Sequence, residues 1–331
     1  MLLTHPIEMK NNSYITPRIN QSFIAVGLFC FVLATSCKKD NPVGTNEIRL
    51  TEARTTDSTG NVASITFQYD NDGRIKSYAY SYNNHTDKEA TVSYSGNKIT
   101  IVYKPKTDFT ISYNSSVWYT LNDNKMPLQR IQYDSAYVAD PAIGQISIWR
   151  DTAWYKYNAT GLLTNITGIN YDSTWFRQNQ DFITDKTNYS SNYTNTDSLL
   201  TQLSITASST YREMNQGKEQ NSNGTGMEKY SFGYTQQYSN KVDFSNAALL
   251  AEFGVIFNRG LPLNKVYTNL PDKISFTDGT GRFYISNDLS FFPLNSVGYI
   301  ENKTMKYDQN GYLSSIINNN TSNKTVFFYN N

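Results

Sequence analysis

The sequence predicts an all-β fold, an antiparallel hairpin meander forming a curved sheet or open barrel with one short helix. Three observations predict it. Aromatic residues make up 14% of the chain, with Tyr 26 and Phe 17, while charged residues reach only 17%. Tyr, Phe and Thr suit a pleated, half-buried surface, so this composition favours strands. Apolar residues also recur at every second position rather than at helical spacing. Between these runs lie clusters of Asn, Asp and Gly, which accept the positive φ of tight hairpin turns.

The elements follow in order. Ile65-Phe67-Tyr69 written at every second position is the first clear alternation, and Asp70-Asn71-Asp72-Gly73 is its turn. Tyr78, Tyr80 and Tyr82 put three rings on one face of the next strand, which ends at Asn83-Asn84-His85. Val92 and Tyr94 lead into the turn Ser95-Gly96-Asn97, and Ile99, Ile101 and Tyr103 lead out of it. Phe109, Ile111 and Tyr113 continue the pattern. Met214 to Met227 has no apolar periodicity and reads as a long mobile loop. Asn246 to Phe253 is the convincing helix, with Ser245 as its N-cap.

A short unit repeats. Tyr69-Asp70-Asn71-Asp72-Gly73-Arg74-Ile75 matches Tyr157-Asn158-Ala159-Thr160-Gly161-Leu162-Leu163 and Tyr307-Asp308-Gln309-Asn310-Gly311-Tyr312-Leu313. Each has Tyr first, Gly four later and an aliphatic residue six later: a strand, a tight turn ending in Gly, and a return strand. Degenerate copies fall at Leu121-Asn122-Asp123-Asn124 and Phe257-Asn258-Arg259-Gly260. The unit resembles YD-type β-hairpin repeats. From about residue 47 to 331 the chain resembles a family of Gram-negative envelope lipoproteins, a domain of unknown function, built of such hairpins. The resemblance implies a lipidated cysteine, hairpins toward the N-terminus, and a helical or loop insertion before a closing repeat. That insertion would be Asn246 to Ile274. The family brings no activity with it.

The N-terminus carries the strongest targeting signal. Lys10 and Arg18 flank an apolar stretch from Phe23 to Ala34, followed by Thr35-Ser36-Cys37-Lys38-Lys39-Asp40. The stretch has the length of a signal-peptide core and is short for a bilayer span. The segment resembles a type II signal peptide, which makes Cys37 the lipid-bearing residue after removal of 1–36. Residues 37–46 then form a tether and 47–331 a single all-β domain. Multiple acyl chains would hold the protein firmly, at about 0.8 kcal/mol per buried CH₂.

Composition narrows the chemistry. The formal net charge of +1 falls to zero once Glu8, Lys10 and Arg18 are removed, so there is no basic footprint for nucleic acid. The two cysteines are Cys30, in the signal, and Cys37. The mature chain therefore has no thiol for disulfides, zinc or catalysis. No cofactor is implied. His85 is the histidine that the mature chain retains, without partners at triad or metal spacing. Asp70-x-Asp72-Gly73 and Asp308-x-Asn310-Gly311 resemble fragments of a calcium loop that lack its later ligands. Asp134, Asp151 and Asp172 fall near strand ends, with nothing pairing them for acid–base work.

Two sets of residues remain as candidate sites. Tyr78, Tyr80, Tyr82, Trp149 and Trp154 are flat rings that stack on a sugar or a partner if exposed and form core if buried. Ser58, Ser135, Thr152, Ser173 and Ser198 each follow an Asp in a pattern that resembles an O-glycosylation sequon of Gram-negative envelopes. The expected function is a non-enzymatic protein, anchored to the outer membrane by lipid, that binds a glycan or envelope protein. The alternatives are a periplasmic carrier or assembly factor holding an apolar ligand in an open barrel, and a glycan-acting hydrolase.

Overall fold

Alternation becomes strand along most of the chain. The computed structural model describes residues 48–108, 111–138, 144–176, 181–196, 199–234, 272–283, 292–293 and 300–330. Its strands are β1 (Leu50–Thr56), β2 (Val62–Tyr69), β3 (Ile75–Tyr82), β4 (His85–Ser95), β5 (Lys98–Tyr103), β6 (Lys106–Asp108), β7 (Ile111–Leu121), β8 (Pro127–Val138) and β9 (Gln145–Tyr157). They continue as β10 (Leu163–Phe176), β11 (Phe182–Thr196), β12 (Leu199–Asn215), β13 (Lys218–Gly233), β14 (Lys273–Phe283), β15 (Phe292–Pro293), β16 (Ile300–Tyr307), β17 (Leu313–Asn318) and β18 (Lys324–Tyr329).

Each strand pairs antiparallel with the next, apart from the short β6 and β15, which sit on β7 and β14. β18 then pairs with β1, Ala53 opposite Phe327 and Thr55 opposite Thr325, closing a 16-stranded barrel. The two threonine hydroxyls lie 2.8 Å apart across this seam. The sheet is therefore closed rather than open, which removes its long unpaired edges.

The segment from Met214 to Met227 is corrected most. Asn215-Gln216-Gly217-Lys218 is a tight turn, with Gln216 at φ 50° and Gly217 at φ 75°. The rest belongs to the ends of β12 and β13, paired without a break from Asn215–Lys218 to Gln202–Ser231. Both faces of this hairpin are polar, so backbone pairing holds it and no apolar period announces it. The 246–253 helix, the Phe257–Gly260 copy and Cys37 with its signal and tether lie outside the described residues. Lys273 and Ile274, placed by the sequence in the insertion, open β14.

The repeated unit is one turn built the same way five times, at Asp57, Asp70, Asn122, Asn158 and Asp308. The side-chain oxygen accepts the backbone N–H four residues on, at 2.8–2.9 Å. The fourth residue must adopt positive φ. Gly60, Gly73, Gly161 and Gly311 do so at 78–88°, and Lys125 does so at 60°. Four copies share one rim of the barrel, where β1 begins; the Asp57 copy lies at the opposite rim.

Tyrosines tie the first rim together. Tyr69 at the end of β2 donates to the Leu50 carbonyl at the start of β1, at 2.6 Å. Tyr94 on β4 donates to Ile75 on β3 at 2.8 Å, and Tyr329 on β18 to Leu313 on β17 at 2.7 Å. Tyr234, just past β13, donates to Leu200 on β12 at 2.9 Å. Burial pushes the Tyr234 hydroxyl above its ordinary range. In each case the closing strand of a hairpin latches the opening one.

Inside, two apolar clusters fill this end of the barrel. One joins β16–β18 to β1–β5 and β7 through Leu50, Ile65, Ile101, Tyr119, Leu313 and Phe327, among others. The other joins β10–β14 through Leu163, Tyr193, Leu203, Tyr230, Phe232 and Ile274. Burying each such side chain contributes about 1.5–3 kcal/mol.

Candidate functional sites on the inner and outer faces of the long strands

β8 to β12 are 12–17 residues long, against 6–8 for β1, β2, β3 and β5. Their extra length carries the inner wall past the apolar clusters toward the second rim, and there it becomes polar. Strand register lays its residues out in rows. Arg130, Ala153, Gly168 and Tyr189 form one row across β8–β11. Gln132, Asp151, Asn170, Thr187 and Ser209 form the next across β8–β12. Asp134, Trp149, Asp172, Asp185 and Tyr211 form the third.

Asp151 centres a buried network. Arg130 Nη1 donates to its Oδ2 at 2.8 Å, with both side chains at most 7% exposed. The Tyr189 hydroxyl donates to Oδ1 at 3.0 Å. Arg130 Nη2 also donates to Gln132 Oε1, and Gln132 Nε2 to Asp134 Oδ2 at 3.0 Å. Tyr189 lies on β11 and Asp151 on β9, so the ring must cross β10. It does so over Gly168, where a Cβ would stand 2.2 Å from Tyr189 Cζ. Burial, and then the Asp151 carboxylate, push the Tyr189 hydroxyl far above its ordinary range. It therefore stays protonated and remains a donor.

Asp172 and Asp185 face each other directly across β10 and β11. Burial raises both carboxyls, Asp185 to about 6, with the charge of Asp172 adding to the rise. Thr187 Oγ1, donating to Asp185 Oδ1 at 3.3 Å, acts in the opposite direction. Like charges placed opposite each other on a sheet destabilise it.

The outer face of β7–β10 is rich in exposed aromatic rings. Trp118 on β7, Tyr133 and Tyr137 on β8, Trp154 on β9, and Tyr171 and Trp175 on β10 are each 37–40% exposed. Arg150 lies between Tyr133 and Tyr171, one strand from each. Ile146 lies between Tyr137 and Trp175 in the same way. Large contiguous exposed apolar patches are a common feature of interaction surfaces.

The structure separates the residues that the sequence groups as stacking candidates. Tyr78 is core: its hydroxyl lies 2.9 Å from that of Tyr103, and it meets Tyr80 and Tyr103 edge-to-face. Tyr80 packs on the same cluster, and Tyr82 is half-buried on the same inward face. Trp149 faces inward between Asp134 and Asp172, half-buried. Trp154 alone of the five stands on the outer face.

The sequon residues divide too. Ser58 is exposed at a turn tip, where Asp57 accepts from Thr59 and Asn61. Those hydrogen bonds hold Asp57 at about 2. Ser135, Thr152 and Ser173 lie mid-strand on the outer side, their preceding aspartates pointing inward. Thr152 and Ser173 are buried and leave no room for a glycan. The Asp-then-Ser/Thr pattern there records inward acid and outward small residue. Ser198 lies outside the described residues.

His85 is exposed, the first residue of β4 rather than part of a loop. Asp70 and Asp308 spend their carboxylates on turn N–H groups, and Asp70 on Arg74 as well. Among the described residues no three His, Cys, Asp or Glu side chains gather to hold a metal ion. Arg130, Gly168, Asp185 and Tyr189 escape the sequence reading. Polar alternation at Arg130-Gln132-Asp134 was the available signal.

No family model and no curated protein matches the chain. Among solved structures it is similar to a porin-like protein from Bacteroides uniformis ATCC 8492, at 14% identity and a TM-score of 0.39, over 85% of this chain and 96% of that one.

Proposed function

We propose that this is a non-enzymatic envelope protein, tethered by lipid at Cys37, that holds a glycan or protein partner on its aromatic outer face. The observation that carries the reading is the set of six exposed rings gathered on β7–β10. Rows two residues apart along a strand are about 6.8 Å apart. Such rings, with Arg150 and Gln129 between them, offer flat stacking surfaces beside hydrogen-bonding groups, a combination that suits sugars.

Elsewhere the described outer surface is mostly polar, with Val102 and Phe328 as exposed apolar exceptions. Thr66, Gln68, Glu89, Thr91 and Ser93 point outward and are exposed. A barrel embedded in lipid carries an outward apolar band around its whole girth. A mostly polar described girth, with the aromatic rings concentrated on one side, supports the reading of a tethered barrel in water.

The carrier reading would place an apolar ligand inside, yet the apolar inner residues are packed against one another and the remaining wall is polar. The hydrolase reading would rely on Asp172 and Asp185. What faces this pair on the wall is aromatic, Trp149 and Tyr211, and among the described residues no histidine or third carboxylate gathers with it.

Affinity electrophoresis in gels containing polysaccharides tests the proposal. Retardation that disappears in Trp154→Ala and Trp175→Ala supports glycan capture. Capture of an envelope protein by cross-linking, lost in the same variants, supports the protein partner. Retention of all binding in both variants overturns the assignment to this face. For the anchor, Cys37→Ala is expected to move the protein from the membrane to the soluble fraction.

A further inference from the structure

The inner wall carries an acidic row, independent of the outer face. Its third row reads acid, aromatic, acid, acid, aromatic across five strands: Asp134, Trp149, Asp172, Asp185, Tyr211. Glu213 extends it, accepting from the Tyr211 hydroxyl at 2.8 Å. Facing residues of one sheet face have Cβ atoms about 5 Å apart, so the Asp172 and Asp185 carboxylates stand close enough to share one cation. Trp149, Asp172 and Asp185 are half-buried, so solvent reaches them.

Charge balance points the same way. Among the described residues of β8–β12 Arg130 is the inward cation, and it is committed to Asp151 and Gln132, while Lys88, inward on β4, lies over the Tyr103 and Tyr113 rings. The outward residues Arg150, Lys186 and Arg212 belong to the other face. Asp172 and Asp185 thus face each other without a cation of their own on the wall.

A separate observation lies beside the row. Ser209 Oγ, on the same face of β12 beside Tyr211, is buried at 5% exposure and has no hydrogen-bond partner among the described residues. Its cross-strand neighbour is Thr187, whose hydroxyl donates to Asp185. A buried hydroxyl without a partner carries a desolvation cost that an arriving N–H group removes.

We propose that this row binds an organic cation, with an ammonium or guanidinium group between Asp172 and Asp185, the Trp149 ring against it and Ser209 accepting a further N–H. Two facing carboxylates flanked by the Trp149 and Tyr211 rings, with no third acidic, His or Cys side chain gathered to them among the described residues, suit an extended organic cation better than a bare metal ion. Aromatic faces attract such cations as well as carboxylates do.

The test is calorimetric titration of the full chain with spermidine, with calcium chloride and choline as comparison titrants. Saturable spermidine binding is expected, weakened at least tenfold in Asp172→Asn/Asp185→Asn. Trp149→Leu, which keeps every charge, is expected to weaken it several-fold, so the prediction survives if the double variant fails to fold. Spermidine binding undiminished in either folded variant overturns the site. So does the absence of spermidine binding to the native chain, or calcium binding there in its place.

Discussion

At the scale of single residues, the most constrained position is Gly168. Its missing side chain lets Tyr189 cross β10 and reach Asp151. Gly168→Ala is expected to destabilise the barrel by about 1–3 kcal/mol through overpacking. Urea unfolding checks this, and Tyr189→Phe separates the lost hydrogen bond to the charged Asp151, worth about 1.5–3 kcal/mol, from the clash. Asp185 behaves oppositely. Its folded carboxyl titrates near 6, above the ordinary 3.8. The folded state therefore binds that proton more tightly, and stability falls as pH rises from about 4 through 6. Asp185→Asn is expected to raise the melting temperature at pH 7.5 and to leave it nearly unchanged at pH 4. Asp57, held at about 2, contributes stability above 3.8 that is lost as pH falls toward 2. Little of this site was legible in the sequence. Asp134, Asp151 and Asp172 drew notice, but facing pairs such as Asp172–Asp185 depend on register, which a hairpin with polar faces does not display.

At the scale of elements, the five-fold turn and the tyrosine latches divide the labour of holding hairpins. Gly161 sits at φ 83°, where a side chain costs about 1–2 kcal/mol. Gly161→Ala should lower stability by about that amount in denaturant titration. Tyr69→Phe removes one latch and should cost about 1 kcal/mol, with faster hydrogen exchange at the β1–β2 end. The three clear copies of the unit were legible because Tyr, Asp or Asn, and Gly stand at fixed offsets. The Asp57 copy was hidden, since its Asp-Ser-Thr reads equally as a modification signal. Lys125 hid the Asn122 copy in part by standing where glycine is expected. Strands facing the apolar clusters announced themselves: Ile65, Phe67, Ile99 and Ile101 are buried on alternate positions. The β12–β13 hairpin did not, because its far half alternates one polar residue with another.

At the scale of the whole molecule, closure rests on β18 lying between β17 and β1. Deleting residues 324–331 exposes the edges of both neighbours and removes Phe327 from the core. Exposed edges pair with other chains. The truncated protein is expected to elute from gel filtration as aggregate rather than monomer, whereas Phe328→Ala, which changes an outward ring against Arg54, should remain monomeric. The direction in which the chain enters the ring has one more effect. β1 starts at the latched rim and β18 finishes there, while the acidic wall lies toward the other. With Cys37 acylated, residues 37–49 reach at most about 45 Å. Such an anchor would moor the latched rim toward the lipid surface and turn the acidic rim away from it. A chain immobilised by its N-terminus on a sensor chip thus leaves the acidic rim open to the flowing solution, the orientation that an anchor at Cys37 would impose.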